Sequence, residues 1–487
     1  MKVEPSTKNQ VLSGLFWKMM ERGGTQGIQL VVQIILARLL LPEDFGTIAI
    51  VTVFIAVAAV FVQSGFSTAL IQKKNADTLD FCSVFYASLF LAVIVYTIIF
   101  FATPLIAGFY QQPQLIPVLR VLAVILFFGA VNSVQNAVVS RAMQFKRFFF
   151  SSVGAILPAG AIGISMAYTG CGVWALVGQQ LANHLLVTAI LWFTVKWRPK
   201  RMFSMERLKE LFSFSWKLLC SGLIDVIYNN AYSLVIGKVY NPQMLGYFNR
   251  GEQFPKLIVT NVNDSISSVM FPALSANQDD RERVKTMVRR SMITSSFAVF
   301  PMMIGLAVVA EPLVSVLLTD KWLPCVPFLQ LLCISYALWP VHTANLQAIN
   351  AVGRSDIHLK LEIIKKCIGV TALVVGIQFG IYVLVALMPI TSVISSFINA
   401  CPNKRLLGYT IKEQWLDLMP SLLLSLCMGA AVYSLNFMGL ETWPTLVLQV
   451  VSGVAIYLGL AYIFKLECFT YLLGTFKELV PERQGAK

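Results

Sequence analysis

The stretch WKMMERGGTQGIQLVVQIILARLLLPEDFGTI (17–48) is a long apolar and amide-rich segment that ends in a proline and a glycine. A second stretch, WKLLCSGLIDVIYNNAYSLVIGKVYNPQMLGYF (216–248), aligns with it when one residue is inserted. Both begin with Trp-Lys, and Pro42 and Gly46 align with Pro242 and Gly246. Proline and glycine interrupt regular structure, so their agreement favours an internal repeat over a chance match of apolar segments.

The composition around these segments excludes a water-soluble protein. Hydrophobic residues make up 57% of the 487 residues and charged residues only 13%, with a mean hydropathy of +0.72. Too few polar side chains are present to cover a surface in water. Runs of roughly 18–25 apolar residues, each able to cross a hydrocarbon core of about 30 Å as a helix, recur along the whole chain.

About fourteen such runs are present, and they predict an all-α polytopic membrane protein. They centre on residues 11–39, 45–70, 81–107, 115–140, 148–168, 172–195, 211–237, 245–272, 291–311, 324–350, 359–378, 380–400, 417–437 and 444–464.

A second pair of segments supports the repeat. VNSVQNAVVS (131–140), in the fourth predicted span, is similar to VHTANLQAIN (341–350), in the tenth. Copies six spans apart cross the membrane in the same direction, so their symmetry axis lies along the membrane normal. The repeat therefore predicts two pseudo-symmetric six-helix lobes that face each other across a cleft.

The positive charges are placed as topology signals. The formal net charge is +14, and the richest connections are KWRPKRMFSMERLKE (196–210) and DDRERVKTMVRR (279–290). With the N-terminus inside, about 29 basic residues lie in cytoplasmic segments and about 3 outside, which favours cytoplasmic N- and C-termini. This distribution differs from that of a nucleic-acid-binding patch, so no nucleic-acid partner is expected.

Other residue types predict no further chemistry. The first apolar segment lacks a small-residue cleavage site and is expected to be retained as a span. The nine cysteines include no CxxC pair and no neighbouring histidine cluster, so neither a metal site nor a disulfide framework is predicted. Tryptophans near span ends predict headgroup anchors: Trp174, Trp197, Trp322, Trp415 and Trp443.

A family resemblance extends over nearly the whole chain. The segments ARLLLPEDFGTIAIVTVFI (37–55), GFSTALIQKK (65–74) and LGYFNRGEQFPKLIVTNVNDSISSVMFPALSANQDD (245–280) resemble polysaccharide transporters of the Wzx type, including colanic-acid-exporter-like proteins. These transporters belong to the multidrug, oligosaccharidyl-lipid and polysaccharide flippase superfamily.

The resemblance implies a central cavity between the lobes, two extra C-terminal helices and alternating access. It also implies a polyprenyl-diphosphate-linked oligosaccharide as substrate in the bacterial inner membrane, with a polymerase and glycosyltransferases of the same pathway as further partners besides the membrane lipids. The expected organisation is an N-terminal lobe (1–197), a basic cytoplasmic linker (198–210), a C-terminal lobe (211–403), and two helices with a tail (404–487).

Charged residues inside the predicted spans are the candidate site. Each ionised side chain left in lipid costs roughly 2.5–3.5 kcal/mol, so most of them are expected to face a wet interior, pair with acids or reach an interface. Five cations that can hold a diphosphate are Lys18, Arg22, Lys217, Arg250 and Lys256.

Two of the predicted spans carry polar stripes. Lys18, Arg22, Gln26 and Gln29 follow helical spacing in the first span, and Lys217, Asp225 and Asn229 do so in the seventh. Amides that hydrogen-bond sugars are expected at Gln26, Gln29, Asn132, Asn136, Asn229, Asn249 and Asn345. Each one taken alone would more often make a helix-to-helix hydrogen bond, whereas the set on facing spans favours a polar cavity.

The eighth span combines both signs of charge. Glu252 and Lys256 are four residues apart and suit either a self-neutralised pair or a cavity. Arg250 has no obvious partner on its own helix face and is the sharper candidate. No cofactor is expected; if transport is coupled to H+ or Na+, Glu21, Asp225 and Glu252 are the candidate sites.

Two alternatives have different sequence requirements. A cation-coupled multidrug-type exporter on the same fold would favour a cavity lined by acids and aromatics, whereas bases outnumber acids in these spans. A membrane enzyme would require a nucleophile or paired carboxylates at the membrane surface, and neither is found. The protein is therefore expected not to be an enzyme.

Overall fold

The computed structural model describes residues 5–63 and 65–470, apart from the side chains of 5–15, 214, 268, 269, 271 and 272. Regular structure in this part of the chain is entirely helical. Short 3-10 turns at Asp320–Cys325 and Leu435–Met438 accompany twenty α-helices: α1 Pro5–Leu39, α2 Pro42–Gln63, α3 Phe66–Gln72, α4 Thr78–Tyr110, α5 Leu115–Leu122, α6 Ile125–Arg141, α7 Lys146–Tyr168, α8 Val173–Thr194, α9 Met205–Asn229, α10 Ala231–Val239, α11 Pro242–Ala276, α12 Arg281–Val308, α13 Ala310–Leu318, α14 Val326–Ala337, α15 Trp339–Ala351, α16 Ser355–Ile377, α17 Ile381–Ala400, α18 Asn403–Leu407, α19 Ile411–Ser434 and α20 Thr442–Ile463.

In the described part of the chain, every predicted span lies mainly on helical backbone, but not all are equally apolar. Among residues 5–63 and 65–470, ten helical segments are long and apolar enough to cross a membrane, and an eleventh is added if the bent α9 counts as one span. The remaining segments, α1, α11 and α16, contain more polar and charged residues. An all-helical membrane fold is confirmed, whereas the number fourteen stays a prediction.

The chain forms two compact units, 1–246 and 247–487. In the first unit α7 packs against both α8 and α1, and α4 packs against α6. In the second, α12 packs against α19, and α16 against α17. The lobe boundaries expected at 197, 211 and 403 stay predictions.

Corresponding turns recur in the two halves. Gly172 precedes α8 with φ +56°, and Gly380 precedes α17 with φ +97°. Both glycines stand in short connections between two long helices, where the backbone enters the left-handed region that glycine tolerates at little cost. The two halves therefore also share these glycine turns, which lie outside the two aligned pairs of segments.

The first unit contains a close crossing of two repeat-related helices. α2 begins at Pro42 and α11 at Pro242, in the first helical position, which suits proline because its missing N–H has no helical partner there. A Cβ added at Gly46 would lie 1.7 Å from the Pro242 carbonyl oxygen, and one at Gly246 would lie 2.0 Å from that of Pro42. Only glycine lets the two backbones approach so closely.

In the second unit, an ion-pair cluster ties the last helices to α12. Arg289 donates two hydrogen bonds of 2.9 Å to the carboxylate of Asp417 in α19 and others to Glu467, just beyond α20. The Tyr409 hydroxyl donates to Asp417 at 2.7 Å. The two predicted extra helices are therefore fixed parts of this unit.

Candidate substrate-binding site

The α1 stripe is arranged as the helical spacing predicts. Lys18 and Arg22 are exposed, and Gln26 and Gln29 farther along the same helix are half-buried. The Lys18 ammonium lies 5.7 Å from the centre of the Phe145 ring. Two cations and two amides thus follow one side of α1.

Glu21 points towards α7 and not along this stripe. Its side chain is half-buried, and Oε1 accepts a hydrogen bond of 3.2 Å from the Ser152 hydroxyl. A carboxylate between two packed helices is sheltered from bulk water, as an ion-coupling site requires. Its role as such a site stays a prediction.

The α9 stripe is exposed along its length. Lys217, Asp225 and Asn229 all lie on the surface of the first unit, and Asn229 is the last residue of the helix. Their steps of eight and four residues keep them on one face, as expected for an α-helix. The structure therefore presents a second polar stripe with both signs of charge.

The two predicted amides of α6 lie on different faces. Asn136 is exposed, whereas Asn132 is buried and donates a 2.9 Å hydrogen bond to the Thr188 hydroxyl of α8. Gln135, which sequence reasoning missed, is fully buried, and neither of its amide atoms has a hydrogen-bond partner in the described part of the chain. Gln135 lies within the amide-rich segment 131–140. The sequence alone does not show that Gln135 faces the interior while Asn136 faces outward.

Arg250 differs from its prediction. Its side chain is only 4% exposed, its guanidinium lies 5.2 Å from the centre of the Trp322 ring, and it donates a hydrogen bond to Gln253 Oε1. The expectation that Arg250 lacks a partner on its own face was therefore wrong, because Gln253, one helical turn further along, accepts a hydrogen bond from it. Trp322 is itself fully buried in the second unit, so its prediction as a headgroup anchor was wrong.

The Glu252–Lys256 pair forms as the four-residue spacing allows. Lys256 Nζ lies 3.4 Å from Glu252 Oε1, which also accepts a 2.7 Å hydrogen bond from the Tyr336 hydroxyl. Lys256 is half-exposed and Glu252 more buried. Asn249, on the same helix, is half-buried. The pair neutralises itself, while its lysine keeps access to the surface.

Asn345 is a structural amide. It is fully buried in the second unit, donates to Gln414 Oε1 at 3.0 Å and accepts from Asn403 Nδ2 at 2.5 Å. These bonds join α15 to α18 and α19, so the side chain makes the helix-to-helix hydrogen bonds that were the alternative to a sugar contact. We do not retain Asn345 among the candidate sugar ligands.

A salt-bridge cluster fixes the start of α9 to α4. We call it the Lys73 cluster; Lys73 Nζ lies 3.1 Å from the buried carboxylate of Asp80 and 2.9 Å from Glu210. Burial disfavours the ammonium form, but the hydrogen bonds to Glu210 and Asp80 outweigh this and raise the Lys73 pKa. Asp77 and Asp80 form a capping box at the start of α4, and Arg207 lies 3.8 Å from Asp77.

Hydrogen bonds also determine the protonation of Asp77. The backbone N–H of Asp80 donates to it at 2.9 Å, and this bond holds the pKa of Asp77 below its ordinary value; burial opposes it, and the charge of Arg207 assists it. Among the described residues, no group of three or more His, Cys, Asp or Glu side chains is arranged to hold a metal ion.

Comparison with known proteins identifies the family. The model of the family described as "Polysaccharide biosynthesis protein" matches residues 35–327, more than half of the chain. The chain belongs to this polysaccharide biosynthesis family. The matched range contains the Pro42–Gly46 and Pro242–Gly246 segments, and the Wzx-type resemblance found in the sequence is confirmed.

Curated relatives cover most of this polysaccharide biosynthesis protein. It is 24% identical to the teichuronic acid biosynthesis protein TuaB of Bacillus subtilis (strain 168), over 94% of this chain and 96% of the relative. It is 25% identical to the lipopolysaccharide biosynthesis protein WzxC of Escherichia coli (strain K12), over 87% and 88%. The succinoglycan biosynthesis transport protein ExoT of Rhizobium meliloti is 26% identical over 70% and 69%.

Solved structures identify the fold. The lipid II flippase MurJ in an inward closed conformation superposes with a TM-score of 0.75 at 15% identity, covering 92% of this chain and 98% of that one. An inward-facing multidrug resistance MATE family transporter of the MOP superfamily gives 0.59, also at 15%, over 83% and 95%. The polysaccharide biosynthesis protein is thus a multi-pass membrane protein with the fold of these transporters.

Proposed function

We propose that this protein flips a polyprenyl-diphosphate-linked oligosaccharide across the bacterial inner membrane by alternating access, for the synthesis of a surface polysaccharide. The observation that carries the proposal is the α1 stripe, in which exposed Lys18 and Arg22 are followed by half-buried Gln26 and Gln29. Cations suit a diphosphate and amides suit sugar hydroxyls.

Three further features support this substrate class. The family is one of polysaccharide biosynthesis proteins. A relative is named a transport protein for succinoglycan biosynthesis, and a protein of the same fold is named a lipid II flippase. The α9 stripe adds Lys217 and Asn229, which repeat the pattern of a cation followed by an amide.

In the proposed cycle, the lobes open to the cytoplasm, the stripe cations take the diphosphate, and rocking of the lobes exposes the headgroup outside while the polyprenyl tail stays in lipid. Both termini are cytoplasmic in this orientation. A negative charge leaving a negative-inside cell gains about 2.3 kcal/mol per 100 mV, so the membrane potential favours export. If H+ or Na+ is coupled, Glu21, sheltered beside Ser152, is the first carboxylate to test.

The multidrug-type alternative rests on the similarity to the MATE fold. The exposed stripes of the first unit carry Lys18, Arg22 and Lys217 against one exposed acid, Asp225. A cationic drug would be repelled by this balance, whereas an anionic headgroup is attracted. We therefore rank drug export below flipping.

The test compares the double variant Lys18→Gln/Arg22→Gln with Lys404→Gln, an exposed lysine outside both stripes. We expect the double variant to reach the membrane in normal amounts, to lose surface polysaccharide, and to accumulate lipid-linked glycan in the inner leaflet. Normal polysaccharide in the double variant, at an abundance equal to the wild type, would remove α1 from the substrate path.

A further inference from the structure

The first unit contains an apolar cavity of about 550 Å³ that the flipping proposal does not use. It lies between α3, α4, the connection before α9, and the first turns of α9. A single cation, Lys209, is at its edge, and the walls are mainly aromatic, as in Phe66, Tyr86, Phe90, Phe203 and Phe212. Its volume is within the range of sites for small organic ligands.

One wall of the cavity is formed by the part of α9 that precedes a bend in this helix. The helix turns by 54° between Met205–Ser213 and Ser215–Asn229, and the α9 residues that line the cavity belong to the first limb. The Lys73 cluster fixes this limb through Glu210 and Arg207. The backbone N–H of Ser204 also donates to the Ser83 hydroxyl of α4 at 2.9 Å. The cavity is therefore a built feature of the fold.

An apolar track leads away from the cavity along α4. Phe90 lines the cavity, and Ile94, Ile98, Phe101 and Leu105 continue the same face with steps of three or four residues. All five side chains are exposed. A face that is apolar over so many turns is solvated by lipid chains and not by water. A lipid chain that leaves the cavity can follow this track into the hydrocarbon core.

The cavity opens where positive charge is concentrated. Segment 196–210 contains six lysines and arginines and two glutamates, a net charge of +4. Arg207 is paired with Asp77 and Glu210. Lys209 has no acidic partner within 4.0 Å among residues 5–63 and 65–470, so its ammonium is available to an anion at the cavity edge. Basic segments beside spans attract anionic lipid headgroups.

We propose that this cavity binds one acyl chain of an anionic phospholipid from the leaflet next to the basic segment 196–210, with the lipid phosphate at the Lys209 ammonium. The aromatic walls take the first part of the chain, and the α4 track takes the rest. The bound lipid packs between the first limb of α9 and α4, so it supports the bend from the membrane side.

The test measures lipid binding to the purified full-length protein by native mass spectrometry, with phosphatidylglycerol and phosphatidylcholine of identical acyl chains as probes. We expect one retained phosphatidylglycerol, bound about fivefold more tightly than phosphatidylcholine, as one lysine at the membrane surface provides. Lys209→Gln should abolish this preference, because the net negative charge of phosphatidylglycerol then meets no lysine at the cavity. Phe90→Ala should weaken binding of both lipids, because it removes part of the wall.

The matched controls are Lys404→Gln and Phe193→Ala, which alter an exposed lysine and an exposed phenylalanine outside the cavity. Both should bind lipid as the wild type does. Equal retention of the two lipids by the wild type, or equal effects of Lys209→Gln and Lys404→Gln, would overturn the proposal. Displacement of phosphatidylglycerol by an equimolar polyprenyl phosphate would instead assign the cavity to the substrate tail and overturn the phospholipid assignment.

Discussion

The crossing of α2 and α11 leads to a sharp prediction about Gly46 and Gly246. A methyl group at Gly46 would meet the Pro242 carbonyl oxygen at 1.7 Å, more than an ångström short of the 3.4 Å at which ordinary contact begins. The obstacle is backbone, so no change of side-chain rotamer relieves it and the two helix starts must separate. We expect Gly46→Ala to cost at least the 1–3 kcal/mol typical of overpacking.

The two glycines should also depend on each other. Once Gly46→Ala has separated the helices, Gly246→Ala meets a wider gap, so the double variant should lose less stability than the sum of the single variants. The thermal unfolding midpoint of the detergent-solubilised protein, followed by loss of the monodisperse peak, measures all three variants. Gly129→Ala is the control, because no atom lies within 4 Å of its added Cβ and alanine favours a helix by up to about 1 kcal/mol. A Gly46→Ala midpoint equal to that of Gly129→Ala would refute the reasoning.

Three further substitutions test two buried side chains of the second unit and the helix cap at the start of α4. Arg250→Met should destabilise the protein by about 1–3 kcal/mol in thermal unfolding, because the buried guanidinium loses its charge-assisted hydrogen bond to the half-buried Gln253 amide; unchanged stability would mean that the contact with Trp322 and this bond contribute little. Asn345→Ala should cost a similar amount, since the buried amides of Gln414 and Asn403 each lose a hydrogen bond with the Asn345 side chain, and normal surface polysaccharide in the surviving protein would confirm that it is not a sugar ligand. Asp77→Ala should cost about 1 kcal/mol as a lost helix cap. The folded-state pKa of Asp77 is lowered, so this difference should be complete above its ordinary pKa of 3.8 and disappear as the pH falls through the lower folded value; a difference that grew on acidification would contradict the assignment.

The helical membrane spans were predictable because they depend on local properties of the sequence. Apolar runs long enough to cross a bilayer must be helical, since the backbone has no other partners in lipid. Proline in the first position of α2 and α11 is also a local signal. The contact between Gly46 and Gly246 was not predictable from the alignment alone, because equivalence in a repeat does not require that the copies touch.

The site was only partly predictable, since helical spacing gives a face but not its neighbour. Lys18, Arg22, Lys217 and Asp225 are exposed as their stripes suggest. Arg250 and Asn345 have equally polar side chains, yet both are buried by helices distant in sequence.

The cavity beside Lys209 illustrates the same limit. Its aromatic walls come from three separate parts of the chain, residues 66, 86–91 and 203–212. Each part alone has the composition of an ordinary apolar segment. Only the tertiary fold, with the bend of α9, brings them together.

Flipping by the purified protein is the most direct test of the proposed function. The protein is reconstituted into liposomes with a polyprenyl-diphosphate-linked oligosaccharide carrying a fluorescent sugar, and the fraction accessible to an external membrane-impermeant quencher is followed after the outer-leaflet label has been removed. We predict that the wild type restores external label within minutes, while Lys18→Gln/Arg22→Gln liposomes behave like protein-free ones and Lys404→Gln liposomes behave like wild type. External label that returns no faster with wild-type protein than without it would contradict the account.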